Sequence, residues 1–257
     1  MLLTISLTVT TTAQEPLGDS TISTPAAMDD STDTCAVVHG AVFSPRQLLV
    51  PTALIAAGAF GVSNGWLCSL KQDVRQDIQR LSDNSHCRLD ETLRFLPAAA
   101  QVGLGLTGVP ARHSLRERMM TTATAFAAMG VLVKATKLAV DEQRPATDGR
   151  DAFPSGHTAT AFMGAELVRQ EYGNAWGAGA YAVATGVAFL RLYNDRHWLN
   201  DVIGGAGVGL LSARIAYWLL PWERRLLGWD SPSAAMAVVP AYDAGSHAPT
   251  LCLTVCF

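Results

Sequence analysis

The sequence predicts an all-α fold, a bundle of about six helices that is expected to lie in a membrane. Of its 257 residues, 49% are hydrophobic and only 16% are charged, whereas an ordinary soluble domain has about a quarter of charged residues. Apolar stretches of helical length recur along the chain, and the alternation typical of a strand occurs only in 250–257. Glycine and alanine are frequent in these stretches, as in membrane helices that approach each other closely.

The N-terminal 47 residues are expected to precede the bundle. Residues 1–13 contain a short apolar run that ends in small residues, and we interpret them as a signal peptide, although no basic residue precedes the run. Residues 14–47 are interpreted as a disordered lead-in, since 14–34 are rich in Ser, Thr, Asp and Pro. The bundle is predicted over 48–226. The tail, 227–257, is predicted to be either a disordered extension or a short hairpin.

The first predicted span, 48–67, carries no charge over twenty residues, which is the length of a membrane-crossing helix. Residues 71–94 combine many charges with apolar residues at helical spacing and predict a surface helix. The remaining predicted helices are 95–107, 119–140, 157–172, 174–190 and 202–221.

Basic residues predict the orientation of the bundle. Arg112, Arg116 and Arg118 fall in one connection, which the positive-inside rule places in the cytoplasm. The connections after Val140 and Leu190 then face outward. A cleaved signal peptide would instead leave the new N-terminus outside, so the number of spans stays open.

Charge and cysteine content exclude two classes of protein. The formal net charge is −3, whereas a nucleic-acid binder presents a basic face. The five cysteines follow no zinc-binding spacing. Cys68 and Cys87 are expected to be free thiols rather than a disulfide.

The first of three polar motifs is Lys137-x6-Arg144-Pro145. Seven residues are nearly two helical turns, so both cations are predicted to point the same way at a helix exit. A guanidinium and an ammonium placed together suit a phosphate. The alternative is that both side chains snorkel from an apolar helix to the membrane surface.

The second motif is Pro154-Ser155-Gly156-His157, which directly precedes a predicted helix. The free backbone N–H groups of such a helix start can bind an anion. Ser155 adds a hydroxyl donor, and His157 is placed to donate a proton. The alternative is a plain N-cap by Ser155.

The third motif is Arg191-x5-His197-x3-Asp201. A spacing of four predicts that His197 and Asp201 are neighbours on one helical face. A carboxylate bound to one ring nitrogen leaves the other free to attack. The alternative is a polar loop that caps a helix beginning near Val202.

Together the motifs supply cations, a nucleophile with its orienting group, and an acid, which are the requirements of phosphoryl transfer. In this order the chain resembles the type 2 phosphatidic-acid phosphatase and vanadium haloperoxidase superfamily over about residues 95–222. One departure is Leu190, because the family usually has serine before the arginine of the third motif.

The resemblance implies a metal-independent phosphatase without a cofactor that acts through a phosphohistidine. His197 would be the nucleophile, Asp201 its orienting group and His157 the general acid. The phosphate would be bound by five residues, Lys137, Arg144, Ser155, Gly156 and Arg191. The expected substrate is a membrane lipid: phosphatidic acid, phosphatidylglycerol phosphate, undecaprenyl pyrophosphate or lipid A. Similarity of 194–207 to envelope members places the expected site at the periplasmic face of a bacterial inner membrane.

Three alternatives remain on sequence grounds. A soluble periplasmic nonspecific acid phosphatase has the same motifs and would suit a signal peptide. A vanadate haloperoxidase would use the same pocket in a longer chain. A membrane scaffold would leave the polar residues without a catalytic role.

Overall fold

The computed structural model describes residues 44–82, 87–229, 235–243 and 248–256. The predicted signal peptide and nearly all of the predicted lead-in lie outside these ranges. The chain divides into two units, residues 39–223 and a second unit that includes 224–257, and each is described by itself.

The first unit is helical, which confirms the predicted all-α class. The described residues form eight α-helices: α1 Leu49–Ser63, α2 Gly65–Ser82, α3 Leu89–Leu93, α4 Leu96–Gly103, α5 Leu115–Ala139, α6 Gly156–Tyr172, α7 Asn174–Tyr193 and α8 Leu199–Leu226. Short 3₁₀ turns, Pro45–Leu48 and Leu104–Leu106, precede α1 and follow α4. The count exceeds the expected six in part because the predicted surface helix 71–94 corresponds to two helices, α2 and the short α3.

Three helical segments in the described part of the chain are long and apolar enough to cross a membrane: Pro45–Ser63, Leu115–Ala139 and Leu199–Leu226. The first ends four residues earlier than predicted, because Asn64 has an extended backbone and its side-chain oxygen accepts from the N–H of Leu67 in α2. The uncharged stretch 174–190 is helical as predicted but falls outside these three.

Helix α8 packs closely against its neighbours because small residues line it. A Cβ on Gly205 would lie 2.6 Å from the carbonyl oxygen of Ser155, and one on Gly209 would lie 2.3 Å from that of Ala159. Larger side chains from α6 and α8 then fill the core, including Met163, Leu167, Tyr217 and Leu220. The glycines therefore bring the start of α6 directly against the start of α8.

The second unit contains an antiparallel hairpin. Strand β1 (Ala235–Asp243) pairs with β2 (Ala248–Cys256), with Val239 opposite Cys252. Of the two structures predicted for the tail, the hairpin is the one found over these residues.

Candidate active site

The three motifs meet at one end of the helical unit. The first motif runs from the last turn of α5 into the following loop, the second opens α6, and the third connects α7 to α8. Two hydrogen bonds join them: the Ser155 N–H donates to the Asp201 carbonyl at 3.0 Å, and the Trp198 indole N–H donates to the Gln143 carbonyl at 2.8 Å. Residues up to 55 positions apart in sequence are thus joined in one site.

His197 and Asp201 are in contact and almost completely buried, at 4% and 0% exposure. The Nδ1 atom of His197 lies 3.4 Å from Oδ2 of Asp201, which also accepts from the Trp198 N–H at 2.8 Å. The pairing is as predicted, but its geometry differs from the prediction. Helix α8 begins at Leu199, so His197 precedes it and the contact is made across the first turn, not along a helical face.

Burial and nearby cations keep His197 neutral. Burial is the largest cause, followed by the charges of Arg191, Arg144 and Lys137, and together they lower the pKa of His197 to about 3. The imidazole therefore has a free lone pair at neutral pH, which a nucleophile requires. All three cations thus lie near enough to this ring to act on its charge.

Lys137 and Arg144 converge on one carboxylate, Asp151. The Arg144 guanidinium donates to both carboxylate oxygens at 2.9 Å, while Lys137 donates to the Asp151 carbonyl and lies 3.6 Å from its Oδ2. Helix α5 ends at Ala139, one residue before the predicted end, so Arg144 lies in the loop and the helical spacing used in the prediction does not apply to it. The loop nevertheless brings them together, as binding of one anion requires.

The start of α6 is not capped by the Ser155 side chain. Ser155 is fully buried, and its Oγ accepts from the Thr158 hydroxyl at 3.0 Å, so its own proton remains available to an acceptor. No atom beyond the local backbone lies within 4 Å of the Cβ position of Gly156. Ser155 is thus the N-cap residue of α6, as the alternative interpretation has it, but its side chain makes no capping hydrogen bond. Space is open at Gly156, the first residue of the helix.

His157 contacts two residues of the α3 segment that the motifs do not include. Its Nε2 lies 3.1 Å from Oε2 of Glu91 and 3.0 Å from Nη1 of Arg94. Burial, then the charge of Arg191, lowers the pKa of His157 despite the opposing effect of Glu91. A phosphate dianion bound beside this ring would raise that pKa again, which favours a proton donor only when the substrate is present.

Arg191 is buried and ion-paired to Asp90. Asn194 holds this pair in place, since its amide donates to Asp90 at 3.3 Å and to the Cys87 carbonyl at 2.7 Å. The carboxylate of Glu91 is 4.0 Å from the same guanidinium. Leu190, which replaces the serine expected from the resemblance, directly precedes Arg191 in α7.

A cavity of about 360 Å³ opens beside Arg191. Most of the residues that line it have polar or charged side chains: Cys87, Arg88, Asp90, Glu91, Arg191, Asn194 and Arg196. Neither Cys87 nor Cys68 is in a disulfide, as expected.

One cluster among the described residues has the geometry of a metal site: Asp90, Glu91 and His157, whose ligand atoms lie within 4.8 Å of one another. Two guanidiniums share this space, since Arg191 pairs with Asp90 and Arg94 contacts His157. Their positive charges offset those of the two carboxylates and so disfavour a cation there.

The chain matches a family model over residues 118–225, described as the PAP2 superfamily. Over this range the chain is similar to the PAP2 superfamily. All three motifs fall inside the PAP2 range. The α2 and α3 residues that contact them lie outside it.

Comparison with known proteins gives one curated relative and two similar solved structures. The chain is 35% identical over 138 residues to a lipid A 1-phosphatase of Porphyromonas gingivalis, an alignment that covers 52% of this chain and 31% of the relative. It therefore spans about a third of the length of the curated relative that it matches. Among solved structures, Aquifex aeolicus LpxE has 21% identity and a TM-score of 0.43, covering 55% of this chain and 92% of that one. A transmembrane PAP2-type phosphatidylglycerolphosphate phosphatase from Bacillus subtilis has 18% identity and a TM-score of 0.47, covering 69% and 97%.

The three helices that are long and apolar enough to cross a membrane indicate a membrane protein.

Proposed function

We propose that this chain is a metal-independent phosphatase that removes a phosphate group from a membrane lipid through a phosphohistidine on His197. The observation that carries the proposal is the buried His197, which Asp201 contacts through one ring nitrogen. Burial and the cations of the first and third motifs lower its pKa, so that the ring is neutral. The other ring nitrogen, Nε2, is the nucleophile.

In the first step, Nε2 of His197 attacks phosphorus and the bond from phosphorus to the lipid oxygen breaks. His157 gives its proton to the departing oxygen, so that an alcohol leaves rather than an alkoxide. Asp201 accepts from Nδ1–H and stabilises the positive charge that develops on the imidazole.

Charge on the transferring phosphoryl group is stabilised by Lys137, Arg144 and Arg191, together with the backbone N–H groups at Gly156. These donors are fixed before reaction: Arg191 by its buried pair with Asp90, and the α6 start by its hydrogen bond to Asp201. Such preorganisation removes the need to reorient solvent during the step.

In the second step, a water molecule attacks the phosphohistidine. His157, now neutral, takes a proton from that water, the phosphorus–nitrogen bond breaks, and inorganic phosphate leaves. His197 is then neutral again and His157 is again protonated, so the cycle closes.

Lipid A is the first substrate to test, because the curated relative is named a lipid A 1-phosphatase. The polar cavity beside Arg191 supports a polar leaving group, since guanidinium, carboxylate and amide groups line it. Phosphatidic acid, phosphatidylglycerol phosphate and undecaprenyl pyrophosphate are the competing substrates.

The soluble acid phosphatase is disfavoured by the exposed apolar side chains of the candidate spans. Only 17% of the apolar window in Pro45–Ser63 and 11% of that in Leu115–Ala139 is buried within the chain, as expected for helices that face lipid. By the positive-inside rule, Arg112 and Arg116 favour a cytoplasmic position for the connection before α5, so we place the site, beyond the other end of α5, at the periplasmic face.

The test is phosphate release in detergent micelles from the four lipids and from p-nitrophenyl phosphate, with EDTA present. Wild-type protein should release phosphate from at least one lipid, and His197→Ala should not. Activity on p-nitrophenyl phosphate alone would favour the acid phosphatase. Loss of lipid activity on addition of EDTA would contradict a metal-independent reaction.

A further inference from the structure

A buried polar chain runs from α2 to the residue that orients the nucleophile. Lys71 of α2 lies 2.6 Å from Oε1 of Glu142, which is only 5% exposed. The other oxygen of Glu142 accepts from the amide of Asn200 at 2.8 Å. The same amide nitrogen lies 3.3 Å from Oδ1 of Asp201.

The two oxygens of Asp201 face different partners. Oδ2 faces His197 and the Trp198 N–H, whereas Oδ1 faces the amide of Asn200. The carboxyl group of Glu142 is a neighbour of the Asp201 carboxyl group. Any hydrogen bond donated to Oδ1 draws negative charge away from Oδ2, and so weakens the support that Asp201 gives to the imidazole.

We propose that Glu142 and Lys71 are a positioning pair, in which the Lys71 ammonium keeps Glu142 as an acceptor so that Asp201 directs its charge to His197. This inference rests on the proposed function. Neither residue belongs to the three motifs, and Lys71 lies outside the PAP2 range, so α2 contributes to the site from another part of the chain.

Protonation of Glu142 would reverse this arrangement. A protonated carboxyl donates to Asp201, whereas an ionised one cannot. Burial, then the neighbouring Asp201, raises the pKa of Glu142 to about 7, and Lys71 and Asn200 oppose that rise. The charged groups that face it are Lys71 from α2 and Asp201 from α8, with Lys137 of α5 acting on Asp201.

The expected direction follows from these charges. As pH falls through about 7, Glu142 takes up a proton and kcat falls. Removing the Lys71 charge raises the pKa of Glu142, so the same fall in kcat should begin at higher pH. An opposite charge in contact shifts a carboxyl pKa by about one unit or more, and that is the size of shift expected.

The experiment is the pH dependence of kcat and KM on the best lipid substrate, from pH 5 to 9, for wild type and four variants. The acid limb is the part of the profile in which kcat falls as the pH is lowered. Lys71→Met should shift the midpoint of this limb to a pH about one unit higher, and Lys71→Arg should restore the wild-type midpoint. Glu142→Gln, whose amide always donates, should lower kcat at high pH and remove this limb. KM should change little, because the phosphate-binding cations are untouched.

Arg75→Met is the matched control for the docking of α2. Arg75 lies one turn from Lys71 and, like it, covers the Trp198 ring, but it pairs with Asp195 rather than with Glu142. Arg75→Met should leave the midpoint of the acid limb at its wild-type pH, even if it changes the value of kcat.

Three results would overturn the inference: an unshifted limb in Lys71→Met, an equal shift in Arg75→Met, or a wild-type limb in Glu142→Gln. If Lys71→Met does not fold, Glu142→Gln and Lys71→Arg decide the question. A wild-type protein without activity on any phosphate ester would instead contradict the proposed function, and this inference with it.

Discussion

Asp151 competes with substrate phosphate for the cations of the first motif, and removing its charge should tighten phosphate binding. Its carboxylate accepts from Arg144 at 2.9 Å and lies 3.6 Å from the Lys137 ammonium. The hydrogen bond from Arg144 is the largest cause that lowers the pKa of Asp151 below its usual value. The carboxylate therefore stays ionised, and competes, throughout the neutral range.

The size of the effect follows from the exposure of the pair. An exposed ion pair contributes roughly 0.2–1 kcal/mol, and Asp151 makes two. Its side chain is 53% exposed, while those of Lys137 and Arg144 are 23% and 26% exposed, so solvent screening reduces the sum to about 1 kcal/mol. Because 1.4 kcal/mol corresponds to a factor of ten, Asp151→Asn should bind inorganic phosphate about fivefold more tightly.

The assay is the competitive inhibition constant for inorganic phosphate, measured during hydrolysis of p-nitrophenyl phosphate or the best lipid. Asp148→Asn is the matched control, since Asp148 is an exposed carboxylate of the same loop whose contact is with Gln143. Its inhibition constant should equal that of wild type. Unchanged or weaker phosphate binding in Asp151→Asn would refute competition, and weaker binding would show that Asp151 orients the cations instead.

Two further predictions concern stability, each measured by thermal unfolding in detergent. Gly209→Ala places a methyl group 2.3 Å from a carbonyl oxygen of α6 and should lower the free energy of unfolding by about 1–3 kcal/mol. Gly186→Ala is the control, because space is open around Gly186, and it should not destabilise the protein. Equal melting temperatures of the two variants would contradict the close packing of α8. Asp90→Asn leaves Arg191 without its buried ionised partner, and should lower the free energy of unfolding by about 3 kcal/mol and raise KM. Asp77→Asn is the control, because Asp77 belongs to an exposed ion pair, and it should change neither quantity. An unchanged KM in Asp90→Asn would contradict a role of Arg191 in phosphate binding.

The helical bundle was predictable from sequence because long apolar stretches leave few alternatives to a helix. The helix ends were less predictable. The stretch 48–67 gives no sign that Asn64 ends one helix and starts another, since the break depends on an extended backbone at a single residue. Helix α8 begins three residues before Val202 because Asp201 accepts the Trp198 N–H at its first turn.

The motif residues were predictable because each motif is local in sequence. Their partners were not: Asp90, Glu91 and Arg94 reach Arg191 and His157 from 63 to 101 positions away. No short sequence pattern predicts contacts between residues so far apart in the chain. One feature of the sequence does point to these partners: residues 71–94 carry many charges. A helix that turns one face to a polar site accounts for so many charges better than a helix that only faces solvent.

The central claim is that His197 becomes phosphorylated, and trapping this intermediate tests it most directly. Protein treated with EDTA would be mixed with ³²P-labelled substrate, quenched within one turnover at alkaline pH, where phosphohistidine survives, and digested for peptide mapping. The account predicts an acid-labile label on the peptide that carries His197, absent in His197→Ala. Label on another residue, or full turnover by His197→Ala, would contradict it.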